Sequence, residues 1–104
     1  MARVVALFDD LLLGSNVLGW MQAAGHEATL SATLPDDLGG VDVLLVDLNL
    51  GVATPSDGPK RLGIYSHVDP ETKRRAEAEG FDLVVPRSRL AREGGALVDR
   101  LVER

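Results

Sequence analysis

The chain has no cysteine and a single basic residue in its first half, and each shortage excludes a class of protein. Without cysteine among its 104 residues there is no disulfide bond, thiolate nucleophile or cysteine-bound zinc. Charged residues interrupt every apolar run before the roughly 18 residues that a membrane-spanning helix needs. The N-terminal segment does not resemble a secretory signal, because two acids follow its short apolar run. We therefore expect a single cytoplasmic domain over residues 1–104 that does not enter a membrane.

The charge of the chain is unevenly distributed. The net charge is −5, and residues 1–50 contain seven acidic residues against one basic residue, Arg3. Residues 51–104 contain nine acidic and ten basic residues. An acidic protein is a poor candidate for binding nucleic acid. The acidic half suits a cation site, and the mixed half suits a surface that contacts protein.

Five apolar segments predict five β-strands. Residues 3–8 (RVVALF) and 41–48 are apolar almost throughout, which is typical of strands that are covered on both faces. Three further segments complete the set, at 27–32, 61–66 and 81–85.

Helical spacing of apolar residues predicts helices between these strands. The first follows residue 10, with Ser15 as a candidate N-cap and Gly25 near its end. The second starts at Asp69, a good N-cap followed by proline, and the third covers residues 88–104, where a Gly-Gly pair should weaken its middle.

Strands that alternate with helices predict an α/β fold with a doubly wound parallel sheet. Consecutive parallel strands need a connection of about a dozen residues. The connection at 33–40 has eight residues and the one at 49–60 has twelve, so we expect the second and third helices to be shortened or lost. In the strand order 2-1-3-4-5 the first and third strands are neighbours.

Three carboxylates follow those two neighbouring strands. Asp9 and Asp10 come after the first strand, and Asp47 ends the third. Ligands of open parallel sheets bind beyond the carboxyl ends of the strands. Close carboxylates repel each other, and oxygen ligands of this kind suit Mg²⁺, so we expect Asp9, Asp10 and Asp47 to form a Mg²⁺ site. Ser66, at the end of the fourth strand, would add a hydroxyl at the same edge.

The motifs FDD, LLVDL and IYS together resemble the receiver domains of response regulators, the phosphorylated proteins of two-component signalling. The resemblance implies a flavodoxin-like sheet of order 2-1-3-4-5 and Mg²⁺ binding by Asp9 and Asp10. It also implies that Asp47 is the phosphoacceptor aspartate and that Ser66 is the switch hydroxyl that responds to the phosphoryl group. A histidine kinase would be the partner that supplies this group.

The sequence also departs from the receiver pattern. Receivers have a lysine before proline after the fifth strand, whereas this chain has Val85-Pro86, with Arg87 next. Arg87 and Lys60 are the two candidates to replace the missing positive charge. Together with the reduced helices, this departure indicates a shortened, degenerate pseudo-receiver.

Other residues have two readings each. His67 and Asp69 could form a metal or proton-transfer site, although Asp69 is also the expected helix cap and His67 an ordinary loop residue. Four basic residues of the last helices could form an interaction surface or simply face solvent: Lys73, Arg74, Arg89 and Arg92.

These observations favour a receiver-like interaction module without its own catalysis. It would act through the face formed by the fourth helix, fifth strand and fifth helix of a full receiver, on a protein partner or in a homodimer. The alternative is a phosphorylatable receiver that uses Asp47. An enzyme is disfavoured, because no Asp-x-Asp, G-x-G-x-x-G or P-loop motif is present.

Overall fold

Five parallel strands form one sheet in the order β2-β1-β3-β4-β5. The computed structural model describes residues 1–66 and 70–103. The strands are β1 (Arg3–Leu7), β2 (Glu27–Ser31), β3 (Val43–Asp47), β4 (Lys60–Tyr65) and β5 (Leu83–Pro86). The predicted strand order is confirmed, and β1 lies between β2 and β3 because both pair with it in parallel.

The described residues form three α-helices: α1 (Leu11–Ala23), α2 (Pro70–Ala78) and α3 (Arg87–Val102). The prediction that Ser15 caps α1 is wrong. Asp10 is the cap, since its backbone is extended and its carboxylate accepts a hydrogen bond from the Leu13 backbone N–H at 3.1 Å. Ser15 lies inside the helix, one turn too late to cap it.

The second and third helices of a full doubly wound fold are missing, as predicted. Residues 32–42 connect β2 to β3 without a helix, and only a 3₁₀ turn (Leu48–Leu50) and a loop separate β3 from β4. Apolar side chains of these connections, among them Leu34, Leu38, Leu48 and Val52, pack directly on the strands. The sheet face that the two helices would cover is therefore sheltered by irregular chain.

The opposite face of the sheet carries the larger core. Helices α1 and α3 pack on it through buried residues such as Val17, Met21, Leu90 and Leu97. The Gly94-Gly95 pair of α3 lies where the two helices meet, and a Cβ at Gly94 would come within 2.8 Å of the Met21 methyl carbon. The glycines weaken α3 as an isolated helix, but they allow it to approach α1 closely.

His26 joins the start of the chain to α3. It is 5% exposed, its Nδ1 accepts a hydrogen bond from the Ala2 backbone N–H at 3.0 Å, and its Nε2 lies 3.0 Å from an Asp99 carboxylate oxygen. Since Nδ1 is an acceptor, the proton of the neutral ring is on Nε2, where it can be donated to Asp99. The sequence did not indicate this structural role.

No helix within residues 1–66 and 70–103 is long and apolar enough to cross a membrane.

Candidate functional site

The acidic residues of β1 and β3 lie at the same edge of the sheet. Leu7 at the end of β1 pairs with Val46, next to Asp47 at the end of β3, and Asp9 and Asp10 follow β1. Asp9 and Asp10 are exposed, whereas Asp47 is only 8% exposed. We call these three residues the acidic rim. The negative charges of Asp9 and Asp10 both act on the Asp47 carboxyl.

The surroundings of Asp47 perturb the pKa of its carboxyl. Burial raises the pKa of its carboxyl above the usual value, and the negative charges of Asp9 and Asp10 raise it further. The Asn49 backbone N–H, which donates to an Asp47 carboxylate oxygen at 3.0 Å, and the positive charge of Arg87 lower the pKa in part. A cation bound beside this carboxyl would offset both the cost of burying its negative charge and its repulsion by Asp9 and Asp10.

Arg87 supplies positive charge to the rim. It is the first residue of α3, directly after β5, and it lines a small cavity of about 250 Å³ together with Asp10 and Trp20. Its charge also lowers the pKa of Asp47. Arg87 therefore borders the same cavity as Asp10 and its charge acts on Asp47, although it follows Pro86 rather than preceding it.

Lys60, the other candidate substitute, does not lie at the rim, and that prediction is wrong. Lys60 starts β4 and pairs with Val43, whereas Asp47 pairs with Ile64. Four residues of a strand span about 13 Å, so Lys60 is at the opposite edge of the sheet. Sequence proximity to Asp47 was misleading, because the β3–β4 connection returns the chain to the amino edge.

The other predicted site residues, Ser66, His67 and Asp69, come after β4 in the sequence. Ser66 is exposed and directly follows β4, whose last residue, Tyr65, pairs with Pro86. It therefore lies at the carboxyl edge, as a switch hydroxyl requires. His67 and Asp69 lie outside the described residues.

The acidic rim offers the type of ligand atom that Mg²⁺ binds, but its side chains are not gathered around one point. Its ligands are carboxylate oxygens, and Mg²⁺ commonly takes only one or two carboxylates and keeps several waters. One oxygen of Asp10 is used to cap α1 and one of Asp47 accepts from Asn49, so each retains a second oxygen. Across residues 1–66 and 70–103, no three His, Asp or Glu side chains are grouped closely enough to hold a metal ion by themselves.

The predicted basic surface is partly neutralised by its own neighbours. Arg74 forms an ion pair with Glu71 on α2, and Arg89 pairs with Glu93 on α3 at 3.1 Å. Lys73 and Arg92 are exposed. Helices α2 and α3 both pack against β5, so the four residues do belong to the two helices that flank that strand.

Sequence reasoning missed Arg61, a buried basic residue. Arg61 is 3% exposed in β4, its Nη2 donates to the Glu79 backbone carbonyl at 2.7 Å, and its Nη1 donates to Thr54 Oγ1 at 3.2 Å. Its guanidinium carbon lies 4.4 Å from the centre of the Phe81 ring. The available signal was a charged residue inside a strand that is otherwise almost fully buried.

Comparison with solved structures identifies the fold. The chain superimposes over its full length on 96% of a receiver domain from Clostridium thermocellum, with a TM-score of 0.84 and 13% identity. It also covers 98% of the receiver domain of the Francisella response regulator 1452, with a TM-score of 0.79 and 15% identity. A third similar structure is the Rec1 domain of ShkA, solved in complex with c-di-GMP; 97% of this chain matches 90% of that one, with a TM-score of 0.75 and 20% identity.

No protein-family model matches the sequence, and no curated protein is a significant sequence match. The structural neighbours are response-regulator receiver domains at full coverage, and five parallel strands in the order 2-1-3-4-5 define the fold as an α/β flavodoxin-like receiver fold. The resemblance predicted from FDD, LLVDL and IYS is confirmed at the level of the fold.

Proposed function

We propose that this chain is a receiver-type signalling module that acts by contacting another protein and has no catalysis of its own. The observation that carries the proposal is the full-length match to receiver domains despite the loss of two helices. The chain lacks two helices elsewhere in the fold, but it keeps the sheet and the two helices that flank β5. The contact surface would be the face of α2, β5 and α3, which corresponds to the fourth helix, fifth strand and fifth helix of a full receiver.

Charge on that face supports a protein partner or a second copy of the chain. Lys73 and Arg92 are exposed there, while the first half of the chain carries a large excess of acid. Opposite charges on two surfaces guide association and determine which partners fit. Such a contact should weaken as the salt concentration rises.

The self-association form of the proposal is tested by sedimentation equilibrium together with amide NMR over a wide range of protein concentration. We expect concentration-dependent shifts of α2, β5 and α3, which Arg92→Glu removes. Gln22→Glu, on the exposed side of α1, is the control and should leave the association unchanged. A wild-type protein that stays monomeric, with no shifting amides at high concentration, would contradict self-association.

A second candidate function is acceptance of a phosphoryl group by Asp47, and the effect of Arg87 on that carboxyl favours it. A carboxylate oxygen of Asp47 would attack the phosphorus of a phosphodonor, either a histidine kinase or a small acyl phosphate. The bond between phosphorus and the donor's leaving group would break, and the leaving group would keep its electron pair. Asp47 would then carry an acyl phosphate.

The residues of the rim would divide the work of this reaction. Asp9 and Asp10, with Asp47, would hold Mg²⁺, which supplies positive charge against the phosphoryl oxygens. Arg87 would contribute further positive charge from α3, in place of the lysine of other receivers. Ser66 would be the hydroxyl that bonds to the phosphoryl oxygens once the group is attached.

An amide NMR titration with Mg²⁺, followed by beryllofluoride as a mimic of the phosphoryl group, tests this second candidate. Shifts around Asp9, Asp10 and Asp47 on adding Mg²⁺, and further shifts near Ser66 on adding beryllofluoride, are expected. Asp47→Asn should abolish the second set. A response to Mg²⁺ without any response to beryllofluoride would leave a cation site only, and no response to either would refute the chemistry at the rim.

A further inference from the structure

The missing helix between β3 and β4 leaves a cleft of about 560 Å³ on the sheet face that α2 also covers. The loop after the 3₁₀ turn forms one wall and α2 forms the other, with Arg61 of β4 at the base. This volume is within the range of pockets that hold small molecules. The cleft differs from the small cavity beside Arg87 and needs no metal at the rim.

The buried end of the cleft carries the positive charge of Arg61. Glu79 also lines the cleft, but within residues 1–66 and 70–103 its carboxylate forms no ion pair with Arg61. Its guanidinium is held by a hydroxyl and a backbone carbonyl, both uncharged groups, and by the Phe81 ring. A buried cation that lacks an anion is costly, and an anionic ligand would compensate it.

A second arginine lines the same cleft. Arg75 of α2 borders it, whereas its exposed neighbour Arg74 does not and is paired with Glu71 instead. Arg61 lies three residues before Ile64, the partner of Asp47, so the basic end of the cleft is about 10 Å from the acidic rim. Asp47 therefore lines the cleft at the end away from Arg61, whereas Glu79 lines it close to Arg61, so Arg61 and Arg75 together must outweigh the repulsion between Glu79 and a bound anion.

The wall between these two ends is apolar. Val46, Leu48, Val52 and Phe81 line it, and all four pack in the smaller core of the sheet. A ligand that fills the cleft would thus place a charged group beside the arginines and an apolar body along this wall.

We propose that this cleft is a binding site for a small organic anion, in which a carboxylate or phosphate group is held by Arg61 and Arg75 and an apolar body packs against Phe81 and Val52. The ligand would occupy the space that a helix fills in a complete doubly wound domain. Asp47 lines the cleft, but the proposed binding does not require phosphoryl transfer to it.

Amide NMR titration with phenyl phosphate and with benzoate, in buffer containing EDTA, tests the site. Benzyl alcohol is the probe of the same shape without charge. We expect saturable shifts of residues 52–54 and 81 with both anions and at least tenfold weaker binding of the alcohol. EDTA removes divalent cations, so the result does not depend on the rim.

Two variants of α2 provide a matched pair for this titration. Arg75→Gln should weaken binding of both anions by about tenfold, as expected for the loss of one charge-assisted hydrogen bond. Arg74→Gln, the adjacent residue outside the cleft, should leave binding unchanged. Because Arg75 and Arg74 are both exposed, neither variant should unfold the protein.

Three results would overturn the proposal. One is the absence of saturable shifts with either anion, and another is equal binding of benzyl alcohol, which would show apolar partitioning alone. The third is equal weakening by Arg74→Gln and Arg75→Gln, because that result would indicate a general charge effect of α2 and no specific site.

Discussion

Replacing Gly95 by alanine should destabilise the protein even though alanine is the better helix former. A Cβ at Gly95 would overlap the Cβ of Ala24, which sits at the end of α1 and cannot rotate away from the contact. Helix α3 would have to move away from α1. The same movement would disturb His26, whose Nε2 lies 3.4 Å from the Gly95 carbonyl oxygen.

The size of the effect follows from two opposing terms. Overpacking a tight contact costs roughly 1–3 kcal/mol, and a rigid neighbour places this site near the upper value. Alanine in place of glycine in a helix returns about 1 kcal/mol. The expected net loss is about 2 kcal/mol, or about 8 °C in Tm for a chain of this length.

Two other helical glycines provide the comparison. Gly19→Ala lies in α1 with nothing within 4 Å of the new Cβ, so it should raise the stability by about 0.5–1 kcal/mol. A Cβ at Gly94 would contact the flexible end of the Met21 side chain, so the change in stability caused by Gly94→Ala should lie between those of Gly95→Ala and Gly19→Ala. Urea and thermal unfolding would measure all three. If Gly95→Ala stabilised the protein as much as Gly19→Ala, the inferred close packing of α1 and α3 would be refuted.

Three further changes test the rim and the core. Burial raises the folded-state pKa of Asp47, so the stability contributed by its carboxyl is complete below the unfolded value of 3.8 and is lost as pH rises through the folded pKa. Asp47→Asn should therefore be more stable than the wild type at neutral pH, with a gain that disappears on acidification below about 4; a pH-independent difference in urea midpoints would contradict this. Arg87→Gln should raise the pKa of Asp47 further, and the carboxyl carbon shift of Asp47 in an NMR pH titration would measure this change. Arg92→Gln is the control and should leave the pKa of Asp47 unchanged. Equal titration curves for the wild type and Arg87→Gln would show that Arg87 does not act on Asp47. His26→Ala should cost about 2–4 kcal/mol in urea unfolding, because it leaves a cavity and an unpaired Ala2 N–H; a loss below about 1 kcal/mol would mean that the histidine does not join the N-terminus to α3.

The sheet was predictable because the strands are recognisable from local composition. Unbroken apolar runs predicted β1 and β3, and short connections predicted the loss of two helices, since no helix fits between parallel strands over so few residues. The placement of Asp9, Asp10 and Asp47 at one edge of the sheet followed from the strand order that the resemblance to receiver domains implied. The strands and the lost helices need only the positions of residues along the chain and the general geometry of parallel sheets.

The errors arose where a residue's role depends on its register or on its neighbours in space. Ser15 and Asp10 are both good capping residues, and only the backbone conformation selects Asp10. Lys60 is close to Asp47 in sequence, but the pairing of β4 with β3 places it at the other edge. In both cases the amino-acid type indicated a role that the residue can fill, but it did not determine where in the fold the residue lies.

Sequence alone determined the alternation of strands and helices, the loss of two helices and the acids that follow the first and third strands, because periodicity and connection length are local properties of the chain. The strand order, in contrast, came from the resemblance to receiver domains. Only the tertiary structure decided that Arg87 acts on Asp47, that Arg61 is buried at the base of a cleft, and that Gly94-Gly95 lets α3 approach α1. Each of these depends on distances between residues that are remote in sequence. Such distances are set by the packing of whole elements, which no local pattern records.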